Sequence, residues 1–208
     1  MPDAQPDVMR RTIHNTPVVT AVLRSMCSLA LKMSGWRLEG RAPDLPKYIT
    51  VLAPHTSNWD WIVLIVMAFA TRMTPLWLAK DSLFRWPFGC FFKWFGGIAV
   101  DRSAHHGVVG QIIDLYNRSD RLVIGITPEG TRKRVERWKT GFYRIAEGAG
   151  IPIVLAALDY QRKLGIWGPI FTPTGDVDAD IAAMQQFFVG VTPRHPEKVG
   201  WLEDASGN

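Results

Sequence analysis

The stretch Tyr48-Ile49-Thr50-Val51-Leu52-Ala53-Pro54-His55-Thr56-Ser57-Asn58-Trp59-Asp60 decides the fold. Its first six residues form a short apolar run that reads as a buried strand. Its last residues, with the apolar sequence that continues to Ala70, open a helix. Between the two lies a polar turn that carries a histidine and, five residues on, a carboxylate. In an open α/β sheet, reactive side chains emerge at the carboxyl ends of strands. This spacing can seat a carboxylate on one imidazole nitrogen and leave the other free to take a proton. The same residues support a plainer reading, in which Asn58 or Asp60 only caps the helix.

Outward from this stretch the chain alternates. Upstream, residues 1–15 are polar and proline-containing and read as a flexible lead. Residues 17–36 place Val18, Val19, Val22, Leu23, Met26, Leu29, Ala30 and Met33 at helical spacing, with Arg24 and Lys32 on the other side. This is an amphipathic helix, either packed on the domain or lying in a membrane interface. Downstream, apolar runs over 75–79, 96–100, 121–126 and 152–159 read as strands, and 166–171 as an edge strand. Helices are expected over 108–117, 141–149 and 179–189, the last capped by Asp176 or Asp178. The pattern implies an α/β fold, a mixed and largely parallel sheet flanked by helices, with an N-terminal amphipathic helix. Residues 1–40 would be lead and helix, and 41–208 a single domain.

Composition narrows the class. Hydrophobic residues make up 47% of the 208 and charged residues 21%, which excludes disorder for most of the chain. A net charge of +5 suits anionic lipid, nucleic acid or a phosphorylated small molecule. The basic residues match no nucleic-acid motif, so no nucleic-acid partner is expected. Cys27 and Cys90 form no CxxC pair and read as reduced thiols. His105 and His106 have no carboxylate or cysteine at ligand spacing, so no metal is expected. No window has the roughly 18–20 apolar residues of a membrane span, and no signal peptide is evident. Membrane contact, if any, is at the surface. From Phe84 to Phe95, seven aromatic residues crowd around Arg85 and Lys93. They read partly as core and partly as the lining of an apolar groove or a membrane-facing patch.

Three polar clusters fall at strand ends: His55 with Asp60, Asp101-Arg102, and Glu129-Gly130-Thr131-Arg132. Strand ends on one edge of a sheet can converge on one crevice. There a base, its carboxylate and two arginines would face one ligand, arginine being suited to bidentate contact with phosphate. Lys133, Arg134, Arg137 and Lys139 follow as a solvated loop or a face toward anionic lipid or a donor's phosphates.

Four blocks occur in order between about Ile49 and Asp159: His55-Thr56-Ser57-Asn58-Trp59-Asp60, Gly97-Ile98-Ala99-Val100-Asp101-Arg102, Pro128-Glu129-Gly130-Thr131-Arg132, and Gly150-Ile151-Pro152-Ile153-Val154. Their sequence and order resemble the glycerolipid acyltransferase superfamily, and within it the lysophosphatidic acid acyltransferases. The resemblance implies transfer of a fatty acyl group from acyl-CoA or an acyl carrier protein to the hydroxyl of a lysophospholipid, first of all 1-acylglycerol-3-phosphate, giving phosphatidic acid. It implies His55 as general base and Asp60 as the carboxylate that orients it. It further implies that Arg102, Glu129, Gly130, Thr131 and Arg132 hold the acceptor's phosphate or head group. No bound cofactor is implied, and the protein would be peripheral, on the cytoplasmic face of an anionic membrane. Pro54, Trp59 and Thr127 depart from the common family pattern. Another lysolipid acceptor, such as a lyso-ornithine lipid, or a non-catalytic lipid-binding role, therefore stays open. A serine hydrolase using Ser57 or Ser103 would need a Gly-x-Ser-x-Gly elbow, which the chain lacks.

Overall fold

A computed structural model describes residues 12–13, 16–71, 73–101 and 107–202. The N-terminal helix α1 (Pro17–Ser34) leads into a short strand β1 (Arg37–Glu39) and then β2 (Lys47–Leu52). Helix α2 (Asn58–Ala70) is followed by β3 (Leu76–Lys80), α3 (Gly89–Trp94), β4 (Gly97–Val100) and α4 (Gly107–Asn117). Next come β5 (Leu122–Ile126), α5 (Gly141–Ala149), β6 (Ile153–Asp159), β7 (Leu164–Phe171) and α6 (Val177–Gln186). The strands form one seven-stranded sheet in the order β1-β7-β6-β2-β5-β3-β4. Every neighbouring pair is parallel except β6 and β7. The fold is the mixed, largely parallel α/β sandwich expected, with its N-terminal helix.

The register explains why the centre of the sheet is so apolar. Ile49 of β2 lies opposite Ile124 of β5 and Ile153 of β6, and all three are fully buried. Each such side chain contributes roughly 1.5–3 kcal/mol by leaving water. A parallel strand covered on both faces reads as a continuous apolar run, and β6 is buried at every one of its positions. Behind it, Trp138 and Trp201 meet edge to face at 4.9 Å.

Two sequence expectations are corrected. The strand placed at the sheet edge, β7, lies between β6 and β1. The true edge is β1, whose three exposed residues Arg37, Leu38 and Glu39 have no buried face to imprint a pattern. Helix α6 ends at Gln186, short of residue 189, and its cap is Asp176, whose side chain accepts from the Ala179 N–H. Inside the first turn of α6, Asp180 takes the Tyr143 hydroxyl at 2.7 Å.

Helix α1 is both packed and exposed. Thr20 and Leu31 are buried, and the helix rests on α2, while Val18, Met26 and Met33 face outward. The lead over 1–15 lies almost wholly outside the described residues. No helix among the described residues is long and apolar enough to cross a membrane.

The sheet topology builds the site. Strands β6, β2, β5, β3 and β4 run parallel, so their carboxyl ends share one edge. There β2 delivers His55, β5 delivers the segment from Thr127, and β4 delivers Asp101.

Candidate active site

The turn after β2 is shaped by one carboxylate. Ser57 is the N-cap of α2, and its Oγ accepts from the Trp59 N–H at 3.2 Å. Asp60, at the third helical position, reaches back so that Oδ2 accepts the backbone N–H groups of Thr56 and Ser57, each at 2.9 Å. This is a capping box, and a carboxylate there also gains from the helix dipole. The same Oδ2 lies 3.1 Å from Nδ1 of His55. The nitrogen approaches the oxygen closely without the alignment of a hydrogen bond. Bonding the backbone at the helix start and facing the imidazole are therefore not alternatives here: the Asp60 side chain reaches both. The cap itself is Ser57, neither Asn58 nor Asp60, and that occupies the serine considered as a nucleophile. Ser103 lies outside the described residues.

Asp60 is 2% exposed. Burial alone would raise its pKa, but the contacts from His55, from the Tyr160 hydroxyl and from the Ser57 backbone outweigh it and hold the carboxyl below its ordinary value. It is thus an anion under physiological conditions. With Nδ1 against this anion, Nε2 is the nitrogen free to handle a proton.

His55 lines a cavity of about 600 Å³ at the carboxyl edge of the sheet. Its walls are largely apolar: Leu64, Ile65 and Phe69 of α2, Trp77 of β3, Phe95, and Val109 of α4. Gly130, Thr131 and Arg132 also line it, as does Lys139 from the basic stretch. Two cations therefore stand at a cavity that is otherwise greasy. Gly130 has φ 62°, and a Cβ there would approach Lys139 Nζ to 2.9 Å, so the loop's course depends on glycine.

Glu129 departs from the expectation that it faces a ligand. It is 4% exposed, is absent from the cavity wall, and accepts the His55 backbone N–H through Oε1 at 3.1 Å. Burial pushes its pKa up, against the backbone hydrogen bonds of its own residue and of His55. Its place is under the histidine, fixing the loop. Arg102, like His105 and His106, lies outside the described residues. Asp101 sits at the end of β4, where its backbone exchanges hydrogen bonds with the Gln111 side chain.

The aromatic segment divides between packed and exposed rings. Phe84 and Phe92 pack on Trp77, and Phe95 lies 5.7 Å from Trp61, both of these lining the cavity. Trp86, Phe88 and Phe91 point outward, Trp86 being 93% exposed. Among the described residues no cluster of His, Cys, Asp or Glu could hold a metal.

Sequence reasoning missed Tyr160, whose hydroxyl donates to Asp60 Oδ1 at 2.7 Å across 100 residues of chain. It also missed Trp201, which lies against Glu129. Neither carries a local signal. Tyr160 is brought to the site only because β6 lies beside β2.

The site thus joins a largely parallel sheet, a histidine beside a buried carboxylate at its carboxyl edge, and an apolar cavity that the histidine lines. Residues 40–158, more than half of the chain, match the family model described as Acyltransferase. The chain belongs to the acyltransferase family, and acyl transfer is the activity that membership carries. The fold is also that of the 1-acyl-sn-glycerophosphate (LPA) acyltransferase PlsC from Thermotoga maritima, whose crystal structure superposes with a TM-score of 0.58. That match is 16% identical in sequence and covers 83% of this chain and 78% of the other.

Proposed function

We propose that this acyltransferase moves a fatty acyl group from an acyl thioester, on CoA or an acyl carrier protein, to the hydroxyl of a lysophospholipid. The first candidate acceptor is 1-acylglycerol-3-phosphate, with phosphatidic acid as product. The observation that carries the reading is His55, seated on the Asp60 carboxylate and lining an apolar cavity with Arg132 at its wall.

In the reaction Nε2 of His55 takes the proton of the acceptor hydroxyl as its oxygen attacks the thioester carbonyl. The C–S bond then breaks, and the thiolate leaves with the proton returned from the imidazolium. Asp60 stabilises that imidazolium and holds the ring in the tautomer that leaves Nε2 free. Arg132 and Lys139 supply positive charge for an acceptor phosphate. The acyl chain has the cavity's Leu, Ile, Phe and Trp side chains to lie against, each buried methylene contributing about 0.8 kcal/mol.

The protein works at a membrane surface in this reading. Val18, Met26 and Met33 of α1 and Trp86, Phe88 and Phe91 around α3 are exposed apolar groups. The two regions are joined where Trp94 Nε1 donates to Thr16 Oγ1 at 3.3 Å. Arg85 and Lys93 stand among the aromatics, as suits the cytoplasmic face of an anionic bilayer.

The test is product formation, followed by mass, with a panel of lysolipids in anionic vesicles and both acyl-CoA and acyl carrier protein donors. His55→Ala should lower turnover by about 10²- to 10⁴-fold, the usual worth of a positioned base. Unchanged turnover in that variant would remove the general-base role. A preference for an acceptor without phosphate, such as a lyso-ornithine lipid, would replace 1-acylglycerol-3-phosphate. No transfer to any acceptor would leave lipid binding as the reading.

A further inference from the structure

The family match ends at residue 158, yet the histidine turn is held by residues beyond it. The His195 N–H donates to Thr56 Oγ1 at 3.2 Å, and Lys198 Nζ donates to the Thr56 carbonyl at 3.3 Å. Asp60 divides its two oxygens. Oδ2 serves the Thr56 and Ser57 N–H groups and faces His55, whereas Oδ1 receives the Tyr160 hydroxyl. Over the Tyr160 ring, at 5.7 Å, lies the Arg194 guanidinium, which also covers Trp59 at 5.3 Å.

We infer that Tyr160, held in place by Arg194, is a positioning residue for the His55–Asp60 pair. The proposal rests on the reading of His55 as the base. Tyr160 is not on the cavity wall, so it acts through Asp60 and never on the ligand. A donor on Oδ1 fixes the rotation of the carboxylate, which keeps Oδ2 directed at Nδ1. It also draws negative charge away from Oδ2 and so limits how strongly Asp60 stabilises a protonated imidazole. Burial, with the Asp60 anion beside it, pushes the phenol well above its ordinary pKa, so it remains a donor wherever the enzyme is folded. Arg194 opposes that rise with its charge. Among the described residues, the charged or titratable groups around the pair are Tyr160 and Arg194 on one side, Glu129 on the His55 N–H, and Lys198 on the Thr56 carbonyl, while the His195 imidazole is paired with Glu197 at 3.2 Å.

Tyr160→Phe removes one oxygen and leaves the ring. In NMR titration of the full chain without ligand, the midpoint of the His55 signal should lie higher in this variant than in the parent protein, because Oδ2 regains charge. The acid limb of kcat/KM should move the same way. Turnover should fall roughly tenfold with the acceptor KM unchanged, the low end of what a hydrogen bond to a charged group is worth. Tyr143→Phe removes the other tyrosine-to-aspartate bond and should leave the His55 midpoint in place. An unmoved His55 midpoint in Tyr160→Phe overturns the proposal even if turnover falls, since a merely structural tyrosine would not touch the titration. The titration needs no substrate, so absence of acyl transfer would sink the functional reading and leave this one to be decided by the spectrum.

Discussion

Two buried aspartates in this molecule have nearly the same surroundings and, in the proposed reaction, different uses. Asp60 and Asp180 each sit in the first turn of a helix, each takes backbone N–H donation from the segment before it, and each receives a tyrosine hydroxyl at 2.7 Å. In both, hydrogen bonds hold the carboxyl below its ordinary pKa. They differ in the remaining partner. Asp180 completes its shell with the Thr174 hydroxyl at 3.0 Å, a group that does not titrate. Asp60 has the His55 imidazole instead, and that imidazole lines a cavity. A carboxylate in the first turn of a helix, bonded to a tyrosine, is therefore a structural unit. In the proposed reaction it becomes chemical machinery because its last neighbour, His55, carries a proton to an accessible space.

The largest effect should come from treating the two aspartates alike. Asp60→Asn should lower acyl transfer by about 10²- to 10⁴-fold, because the imidazolium loses its counter-ion and the ring its preferred tautomer. Asp180→Asn should leave turnover per folded molecule within about twofold, since distant sites act independently. Its cost should appear in urea denaturation as about 1–3 kcal/mol, the price of weakening hydrogen bonds to a charge. If Asp180→Asn lost turnover as heavily as Asp60→Asn, the distinction between a structural and a chemical carboxylate would fail.

The comparison also measures how far the sequence could be read. The His55–Asp60 spacing between a strand and a helix is local, and local geometry put the two side chains together. The capping role and the orienting role looked like rivals because a sequence assigns one task to one residue. A carboxylate has two oxygens with several lone pairs and can serve both. Glu129 was misplaced for a related reason: its block identifies the loop, while the direction of a side chain at a strand end depends on the loop's path. Tyr160 had no signal at all, since its contact with Asp60 depends on β6 being the neighbour of β2. Strand order is a property of the whole sheet, and alternation along the chain does not contain it. The edge strand β1 escaped because a strand with no buried face has no periodicity to detect.

The smallest predicted effect concerns acid, where the two aspartates should behave as a pair. A carboxyl whose folded-state pKa is depressed adds stability above its unfolded value, near 3.8, and that contribution is lost as the pH falls toward the folded value. Asp60 and Asp180 both act in this sense, as does Asp159, whose carboxylate takes the Arg162 backbone N–H and guanidinium. Glu129 acts oppositely: its raised pKa favours the protonated form, so its stability contribution declines as the pH rises above 4.5. Stability should therefore climb from pH 3 as the aspartates ionise, with Glu129 opposing the climb above 4.5. Asp180→Asn should make the rise between pH 3 and about pH 5 shallower in urea melts and leave the Glu129 branch unchanged. The Asp60→Asn curve should flatten in the same way, because the hydrogen bonds that hold that carboxyl below its ordinary pKa are part of the fold. An acid limb that stayed as steep in Asp180→Asn as in the parent protein would show that the Thr174 and Tyr143 contacts do not hold that carboxyl in its ionised form.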